Sequence, residues 1–340
     1  MSYLPYVVEP VAPADERAFA QWYSVLDAVH REQRPGEPGW TLTERRARAA
    51  SADGGYDRRQ WLVRDRDGRP VGAAALQLSL RDNPGLAEAE LWVLPGARRR
   101  GVGSALADVV EETSRAAGRE VVAAFVVHPG GADEGPGDVF ARRRGYRVVQ
   151  REVRRGLDVE RALPGLAALE HRAAQQAASY ELVSWVSRTP EELLADRAAL
   201  GTAISADAPR GDSAYTTEHW DVARVLARDE ELARMDRTYV ATAARHRESG
   251  RLVALTELAV PNSVPELAWQ WDTVVLRAHR GHRLGLLVKA ANLRLLREVV
   301  PAARRVMTYN DETNRHMIAV NERLGFEVVD AEWRWELALG

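Results

Sequence analysis

The sequence predicts an α/β fold made of two similar domains, because short segments recur in order and each half repeats one series of strands and helices. Three segments recur: residues 68–72 as 250–254 and 93–98 as 275–280, both at an offset of 182, and 144–149 as 324–329, at an offset of 180. Ordered matches at a nearly constant offset indicate a duplicated domain.

Each element of the first half has a local signal. Asp65 and Gly68 belong to a hairpin turn between two apolar runs, and apolar residues at helical spacing follow Gly101. The predicted elements are strands at 61–63, 71–80, 88–94 and 121–127, with a helix at 102–113 before the last strand. The last strand is a continuous apolar run, which is typical of a strand buried on both faces.

The second half repeats this series. Its predicted elements are strands at 239–244, 252–260, 269–276 and 305–309, with helices at 284–295 and 314–324. An alanine-rich stretch between the halves predicts a connecting helix. We therefore expect an N-terminal domain at 1–158, a connecting helix at 159–178 and a C-terminal domain at 179–340, and 340 residues suffice for two cores.

Composition excludes several classes of protein. The net charge of −2 provides no overall field for nucleic acid or an anionic membrane, and the absence of cysteine excludes disulfides and thiolate metal sites. The histidines show no metal-ligand spacing. The N-terminus lacks a secretory signal pattern, and no apolar run approaches membrane-spanning length. We expect a cytoplasmic protein.

A glycine-rich segment, Arg98-Arg99-Arg100-Gly101-Val102-Gly103, lies between a predicted strand and a predicted helix. The start of a helix has unpaired N–H groups and a partial positive charge, so it suits a phosphate. Glycines let the backbone approach the anion, and the arginines add charge. The segment therefore predicts a site for a diphosphate.

This arrangement resembles motif A of the GNAT superfamily of N-acetyltransferases, and the order of elements in each half is similar to that of tandem members such as mycothiol synthases. The resemblance implies two GNAT-like domains, each a mixed, mostly antiparallel sheet flanked by helices, and acetyl-CoA or another acyl-CoA as cofactor. The residues it assigns to the cofactor are Val93, Leu94, Arg98, Arg99, Arg100, Gly101, Val102, Gly103 and Ser104 in the first half, and Val275, Arg280, Gly281, His282, Arg283, Leu284, Gly285 and Asn314 in the second.

The second copy departs from the motif, because Arg283 replaces the first motif glycine. Both halves also lack the tyrosine with which many family members protonate the leaving thiolate, since Ala141 and Asn321 stand in its place. Tyr309, at the end of its strand, is the candidate substitute.

Acetyl transfer to an amine requires a base, since a free alkyl amine is mostly protonated near neutral pH. The candidates are Glu88 and Glu90 on the first motif strand and Asp272 on the second. A strand N–H beside Val93 and Leu94 is the candidate oxyanion donor. Because the first half keeps the motif glycines, we expect acyl-CoA there, with the second half shaping the acceptor site or binding CoA more weakly. The similarity of layout to mycothiol synthases implies the opposite, with the chemistry in the second half.

The resemblance implies an acyl-CoA-dependent N-acetyltransferase that acts on a primary amine of a small molecule or peptide by direct attack. Residues 207–212 and the tryptophans at 269, 271, 333 and 335 are weaker candidates for the acceptor site. We expect a monomer or homodimer that binds neither nucleic acid nor membrane. A non-catalytic acyl-CoA sensor or scaffold is the main alternative, favoured by the missing tyrosine, and an aminoacyl or peptidyl transferase is the third.

Overall fold

A computed structural model describes residues 6–51, 55–131 and 134–340 of the chain. It divides into two compact units. Unit 1 consists of residues 1–151, 210–215 and 331–340, and unit 2 consists of residues 152–209 and 216–330. Residues 1–5, on which the expected absence of a secretory signal partly rests, lie outside the described residues.

The N-terminal half begins with a short strand and two helices that precede the repeated series. Its elements are β1 (Val7–Pro10), α1 (Glu16–Gln33), α2 (Leu42–Ala49), β2 (Tyr56–Arg64), β3 (Pro70–Ser79), β4 (Leu86–Val93), α3 (Val102–Ala116), β5 (Val121–His128), α4 (Pro136–Arg143) and β6 (Arg147–Asp158).

The C-terminal half repeats that order after one additional helix, α5 (Val159–Ala174). Its elements are β7 (Tyr180–Val186), α6 (Leu194–Asp207), α7 (Val222–Arg234), β8 (Arg237–His246), β9 (Leu252–Pro261), β10 (Leu267–Val275), α8 (Leu284–Val299), β11 (Arg305–Asp311), α9 (Arg315–Leu324) and β12 (Glu327–Ala338). Among the described residues, no helix is both long and apolar enough to cross a membrane.

Each unit completes its sheet with the last strand of the other half. In unit 1 the strand order is β1-β2-β3-β4-β5-β12, and residues 331–338 of β12 pair antiparallel with β5. In unit 2 the order is β7-β8-β9-β10-β11-β6, and residues 152–158 of β6 pair antiparallel with β11. The units therefore differ from the consecutive ranges 1–158 and 179–340 expected from the repeat, because backbone pairing exchanges the two terminal strands.

The connecting helix is part of unit 2. Asp158 caps α5 by accepting a hydrogen bond from the Arg161 N–H at 3.0 Å, and the helix extends to Ala174. Val159, Leu166 and Ala173 are buried in one apolar cluster with α8 residues such as Leu286 and Leu293. The segment expected as a connection at 159–178 thus also covers α8.

In both sheets, the strand that precedes a glycine-rich segment pairs with its parallel neighbour over only part of its length. Strand β4 pairs in parallel with β5 only from Leu86 to Ala89, and β10 pairs with β11 only from Leu267 to Trp269. Beyond these residues the neighbouring parallel strands separate. In each unit this leaves a cleft between two strands that leads to the start of the following helix, α3 or α8.

The two opened strands differ in register. Strand β4 pairs with β3 in an unbroken antiparallel register, from Gly72 opposite Val93 to Leu78 opposite Ala87. Strand β10 has a bulge against β9 between Gln270 and Thr273. Because a bulge changes the face to which the following side chains point, it re-orients the residues at this position of unit 2 alone.

Candidate active site

Both glycine-rich segments adopt the same backbone shape. Gly101, which precedes α3, has φ 90°, and Arg283, at the same place before α8, has φ 55°. Arg99 and Gly281 also have positive φ, at 60° and 89°. The left-handed turn therefore survives the replacement of glycine by arginine, although a side chain in this region costs about 1 kcal/mol.

The start of each helix fits an anion. Among the described residues, no side chain caps α3 or α8. Ala105 and Leu287 are the first residues whose N–H groups bond back within the helix, to Gly101 and Arg283 respectively. The preceding N–H groups, those of residues 102–104 and 284–286, are available to a phosphate. Both segments can therefore bind a diphosphate through backbone N–H groups, that of Ser104 among them. The side chains of Val102 and Leu284 do not take part, because they are buried in the core.

The first arginine of each motif holds the segment in place. Arg98 Nε donates to the Val93 carbonyl at 3.1 Å, and its guanidinium pairs with Glu32 at the end of α1. Arg280 Nε donates to the Val275 carbonyl at 3.2 Å, and its Nη2 donates to Asp207 at 2.7 Å. These arginines, expected to contact the cofactor, are therefore engaged by protein carboxylates, whereas Arg99 and Arg100 are exposed.

The two segments differ in what lies over the second motif glycine. A Cβ on Gly103 would lie 3.5 Å from the Phe140 ring of α4. A Cβ on Gly285 would meet only Val275, at 3.7 Å. The Phe140 ring of α4 therefore lies beside the glycine of unit 1, which is half-buried, whereas the corresponding glycine of unit 2 is buried without such a ring next to it.

The hydrogen bonds between neighbouring strands show which backbone N–H groups beside each cleft are already used. The Leu94 N–H donates to the Val71 carbonyl at 3.1 Å, and the Leu276 N–H donates to the Val253 carbonyl at 2.9 Å. The N–H groups of Leu94 and Leu276 are thus used by the sheet. Because N–H groups alternate along a strand, those of Val93 and Val275 point to the opened edge.

The two carboxylates of β4 both have arginine partners. Glu90 pairs with Arg45 of α2, whose Nη1 donates to its Oε1 at 3.1 Å. Arg334 Nη1 donates to Glu88 Oε1 at 3.0 Å. Trp92 packs in the apolar cluster that contains Trp22 of α1. Because side chains alternate along a strand, Glu88 and Glu90 lie on the same face of β4 as Trp92, the face toward α1 and α2. Neither carboxylate is presented to the cleft without a competing cation.

Residues 210–215 belong to unit 1 and support Arg334. Arg334 Nε donates to Glu336 Oε1 at 3.0 Å, and Glu336 in turn accepts from Ser213 Oγ at 2.6 Å and from the Ala214 N–H at 2.9 Å. Gly211 adjoins the Val149 carbonyl so closely that a Cβ would overlap it. Residues 207–212 therefore belong partly to each unit. Asp207, in unit 2, pairs with arginines at the second glycine-rich segment, whereas the Asp212 N–H, in unit 1, donates to the Val149 carbonyl.

The bulge of β10 directs Trp271 and Asp272 to the face covered by α6 and α7. Trp271 packs with the apolar cluster of that face, and the Arg228 guanidinium of α7 lies 4.3 Å from its ring centroid. Arg228 Nη2 is 3.9 Å from Asp272 Oδ2. The Asp272 side chain keeps 38% of its accessible surface, so solvent reaches it beside Arg228.

A buried charge cluster lies beside Asp272. Glu257 of β9 is fully buried, pairs with Arg197 of α6, and accepts a hydrogen bond from the Tyr239 hydroxyl. Arg228 Nη2 is 3.7 Å from Glu257 Oε2. Sequence reasoning missed this cluster. One signal for it was available, since Glu257 is the sole charged residue in the apolar run 252–260 of β9.

The environment of Asp272 changes its proton affinity. Burial raises the pKa of Asp272 above its ordinary value, and the neighbouring Glu257 carboxylate adds to this, while Arg228 and Arg197 oppose it. Burial works against the charged form of Arg197, but Glu257 outweighs it and the Arg197 pKa is raised. Asp272 is therefore a carboxyl group suited to accept a proton, beside arginines that stay charged.

The helix α9 provides the remaining predicted residues of unit 2. Asn314 caps α9 by accepting from the Met317 N–H at 3.2 Å, so its Oδ1 is used locally. Asn321 is buried and donates to Asn310 Oδ1 at 2.7 Å. Because Asn310 faces α9, alternation places Tyr309 on the opposite face of β11, the face on which Asp272 lies.

The four tryptophans have different surroundings. Trp335 is buried in the unit 1 core, and Trp333 stacks on His128 with ring centroids 4.1 Å apart. Trp271 lines the site around Asp272, whereas Trp269 is the last β10 residue paired with β11. Among the described residues, no group of three or more possible ligands is placed to hold a metal ion.

Comparison with known proteins identifies the family. The sequence profile of the Acetyltransferase (GNAT) family matches residues 19–132, which lie in unit 1. The solved structure of a tandem GNAT protein from the clavulanic acid biosynthesis pathway is 30% identical and has a TM-score of 0.79. The match covers 98% of this chain and 99% of that one. The chain belongs to the GNAT acetyltransferase family, with two such domains in tandem, and it is an N-acetyltransferase.

More distant structures share the fold. A GCN5-related N-acetyltransferase from Sphaerobacter thermophilus is 17% identical, with a TM-score of 0.65, and the match covers 98% of this chain and 96% of that one. A structure from Pyrococcus horikoshii is 13% identical, with a TM-score of 0.58, and the match covers 99% of this chain and 91% of that one. No curated protein matches the sequence. The predicted family, fold class and enzyme class are confirmed, and the family generally uses acetyl-CoA.

Proposed function

We propose that unit 2 transfers an acetyl group from acetyl-CoA to a primary amine, with Asp272 as the base. The observation that carries this proposal is the bulge of β10, which turns Asp272 away from the sheet ladder and toward Arg228 at 3.9 Å. The raised pKa of Asp272 and the uncapped start of α8 support it. The carboxylates of Glu90 and Glu88 in unit 1 accept hydrogen bonds from arginines at 3.1 and 3.0 Å, whereas Asp272 is 3.9 Å from its arginine.

In this proposal the N–H groups at the start of α8 bind the diphosphate, and the Val275 N–H binds the chain that leads to the thioester. Acetyl-CoA, when bound, supplies the acetyl group as a thioester. Asp272 takes the proton of the ammonium, and the amine nitrogen attacks the carbonyl carbon. The C–N bond forms as the C–S bond breaks, and the nitrogen releases its second proton to solvent. The thiolate takes a proton from Tyr309, which solvent then reprotonates, or from solvent directly.

A second function for unit 1 has its own support. Its glycine-rich segment has the same left-handed turn and the same uncapped helix start as that of unit 2. Its carboxylates Glu88 and Glu90 are ion-paired. We propose that unit 1 binds acyl-CoA without turning it over. This reverses the division of labour that the motif glycines favour.

Parallel substitution of the two corresponding carboxylates tests the proposal. Asp272→Asn should lower turnover on any amine acceptor by about 100-fold or more, because it removes a positioned base. Glu90→Gln is the matched control and should leave turnover near that of the unsubstituted protein. Thiol release is the measurement, with acceptors screened as a panel of amines. Loss of turnover in Glu90→Gln with activity kept in Asp272→Asn would assign the chemistry to unit 1.

A further inference from the structure

The charged groups around Asp272 include two buried hydrogen-bond donors and one buried acceptor, Glu257 Oε2, that have no partner among the described residues. Two guanidinium groups, of Arg197 and Arg228, face the carboxylates of Glu257 and Asp272. Arg197 forms a close pair with Glu257, whereas both contacts of Arg228 are at 3.7 Å or longer. These distances exceed a hydrogen bond, so Arg228 attracts the carboxylates without donating to them.

Two of the unsatisfied donors are buried. Arg197 is 2% exposed, and its Nη1 has no hydrogen-bond partner in the described part of the chain. The Nε of Arg228 is likewise buried and unpartnered among the residues described. A buried guanidinium donor without an acceptor costs free energy, so unsatisfied donors at a functional site indicate an acceptor that arrives with a ligand.

Arg228 is held where such a ligand would enter. Its guanidinium carbon lies 4.3 Å from the Trp271 centroid and 5.6 Å from the Trp220 centroid. Two aromatic rings thus restrain the side chain by cation–π contact. It remains 24% exposed, beside Asp272 at 38% exposure. The accessible end of the site therefore presents one proton-accepting carboxyl and one guanidinium 3.9 Å apart.

We propose that the acceptor of unit 2 is a small amino acid, in which a carboxylate lies within a few bonds of the reacting amine. This inference rests on the proposed function of Asp272. The amine of the acceptor meets Asp272, and its carboxylate accepts hydrogen bonds from Arg228, with Arg197 behind it. Arg228 is then the residue that selects an acceptor with a carboxylate over a plain amine.

The spacing argues against two other acceptors. The amino terminus of a long peptide has an amide carbonyl in place of the carboxylate, and so offers Arg228 no charged acceptor. A phosphorylated amine would bring a dianion next to Glu257, which is already buried with only one close cation. A single carboxylate balances Arg228 without this conflict.

The test compares each acceptor with its own amide. The probes are the common α-amino acids, β-alanine and γ-aminobutyrate, each assayed beside its primary amide with acetyl-CoA and the full chain. At least one free amino acid should have a kcat/KM about 10-fold or more above that of its amide, because a charge-assisted pair is lost in the amide. Equal rates for acid and amide throughout the panel would overturn the inference, while the function of Asp272 would still stand.

The variant Arg228→Gln completes the test. Assayed at a pH above the acid limb of kcat/KM, it should raise the KM of the preferred amino acid by about 10- to 100-fold and change the KM of its amide far less. The matched control is Arg234→Gln, which removes an exposed arginine from the same helix. Calorimetric titration of the amino acid gives a readout besides turnover. An equal change for acid and amide would mean that Arg228 only supports the fold, and absence of turnover on every amine would refute the proposed function itself.

Discussion

Asp272 and Glu257 share the Arg228 guanidinium, whose Nη2 lies 3.9 Å from one carboxylate and 3.7 Å from the other. Glu257 is fully buried and is neutralised mainly by Arg197. Asp272 lies at the solvent-accessible end of the cluster, and its negative charge is balanced less closely than that of Glu257, because Arg228 is 3.9 Å away. The cluster therefore raises the pKa of Asp272, the carboxylate that solvent reaches, as expected of a base.

The first prediction concerns the pH dependence of kcat/KM. Asp272 accepts a proton only when it is ionised, so the rate should fall as pH falls through its raised pKa. Glu257→Gln removes a negative neighbour and should move this acid limb to lower pH. Arg228→Gln removes a positive neighbour and should move it to higher pH. The profile is measured with an amine that has no carboxylate, and two shifts in the same direction would contradict the assignment.

The second prediction concerns the two glycine-rich segments. Gly285→Glu should place a carboxylate against the diphosphate at α8 and abolish both cofactor binding in unit 2 and turnover. Gly101→Glu should remove binding in unit 1 and leave turnover intact, although left-handed φ makes this substitution somewhat destabilising. Calorimetry with CoA gives stoichiometry for each variant. A stoichiometry unchanged by both substitutions would reject the segments as cofactor sites.

The repeated elements could be predicted because local signals specify them. The apolar periodicity of α3 and α8 and the turn at Gly68 depend on neighbours in the chain, and they appear where expected. Pairing partners of the last strands could not be predicted, since β6 and β12 have similar apolar patterns and either could complete either sheet. Hydrophobic pattern fixes which face of a strand is buried, and it does not identify the neighbouring strand.

The site was harder to predict than the fold. Position along the chain gave Asp272 as one of three carboxylates, but its exposure and partners depend on a bulge that alternation cannot reveal. Arg197 and Arg228 lie on helices distant in sequence, among many other arginines. The change at Arg283 suggested a weaker second segment, whereas the backbone keeps the left-handed turn and Arg283 Nε donates to Gln176 at 2.8 Å.

The third prediction concerns separation of the halves. A fragment of residues 1–158 lacks the β12 residues that pair with β5, and a fragment of residues 179–340 lacks both the β6 residues beside β11 and the helix α5 over α8. Each fragment exposes an unpaired strand edge and should aggregate or unfold at lower temperature. Co-expression of the two fragments should restore solubility. Two separately soluble fragments that melt at the temperature of the intact chain would contradict the strand exchange.

The last prediction concerns Lys289, the single lysine of the chain, which is buried in α8. Burial lowers its pKa to about 7, and no carboxylate is paired with it in the described part of the chain. Its ammonium lies 5.2 Å from the Phe326 ring centroid. Because an unfolded lysine has a pKa of about 10.4, the unfolded state holds a proton that the folded state lacks between the two values. The free energy of unfolding should therefore rise with pH over this window, by at most about 1.4 kcal/mol per unit, and be flat with respect to this group below it.

Lys289→Met keeps the length of the side chain and removes the charge. It should raise the free energy of unfolding by several kcal/mol at and below pH 7, since the full penalty of about three pKa units at ~1.4 kcal/mol each applies there. The gain should shrink as pH rises toward the unfolded pKa of about 10.4, above which neither state of the unsubstituted chain binds the proton. Urea unfolding from pH 6.5 to 9.5 measures both chains, with Arg294→Met on the exposed side of the same helix as the control. If Lys289→Met destabilises the protein at every pH, the amine has an anionic partner or a ligand that compensates its burial.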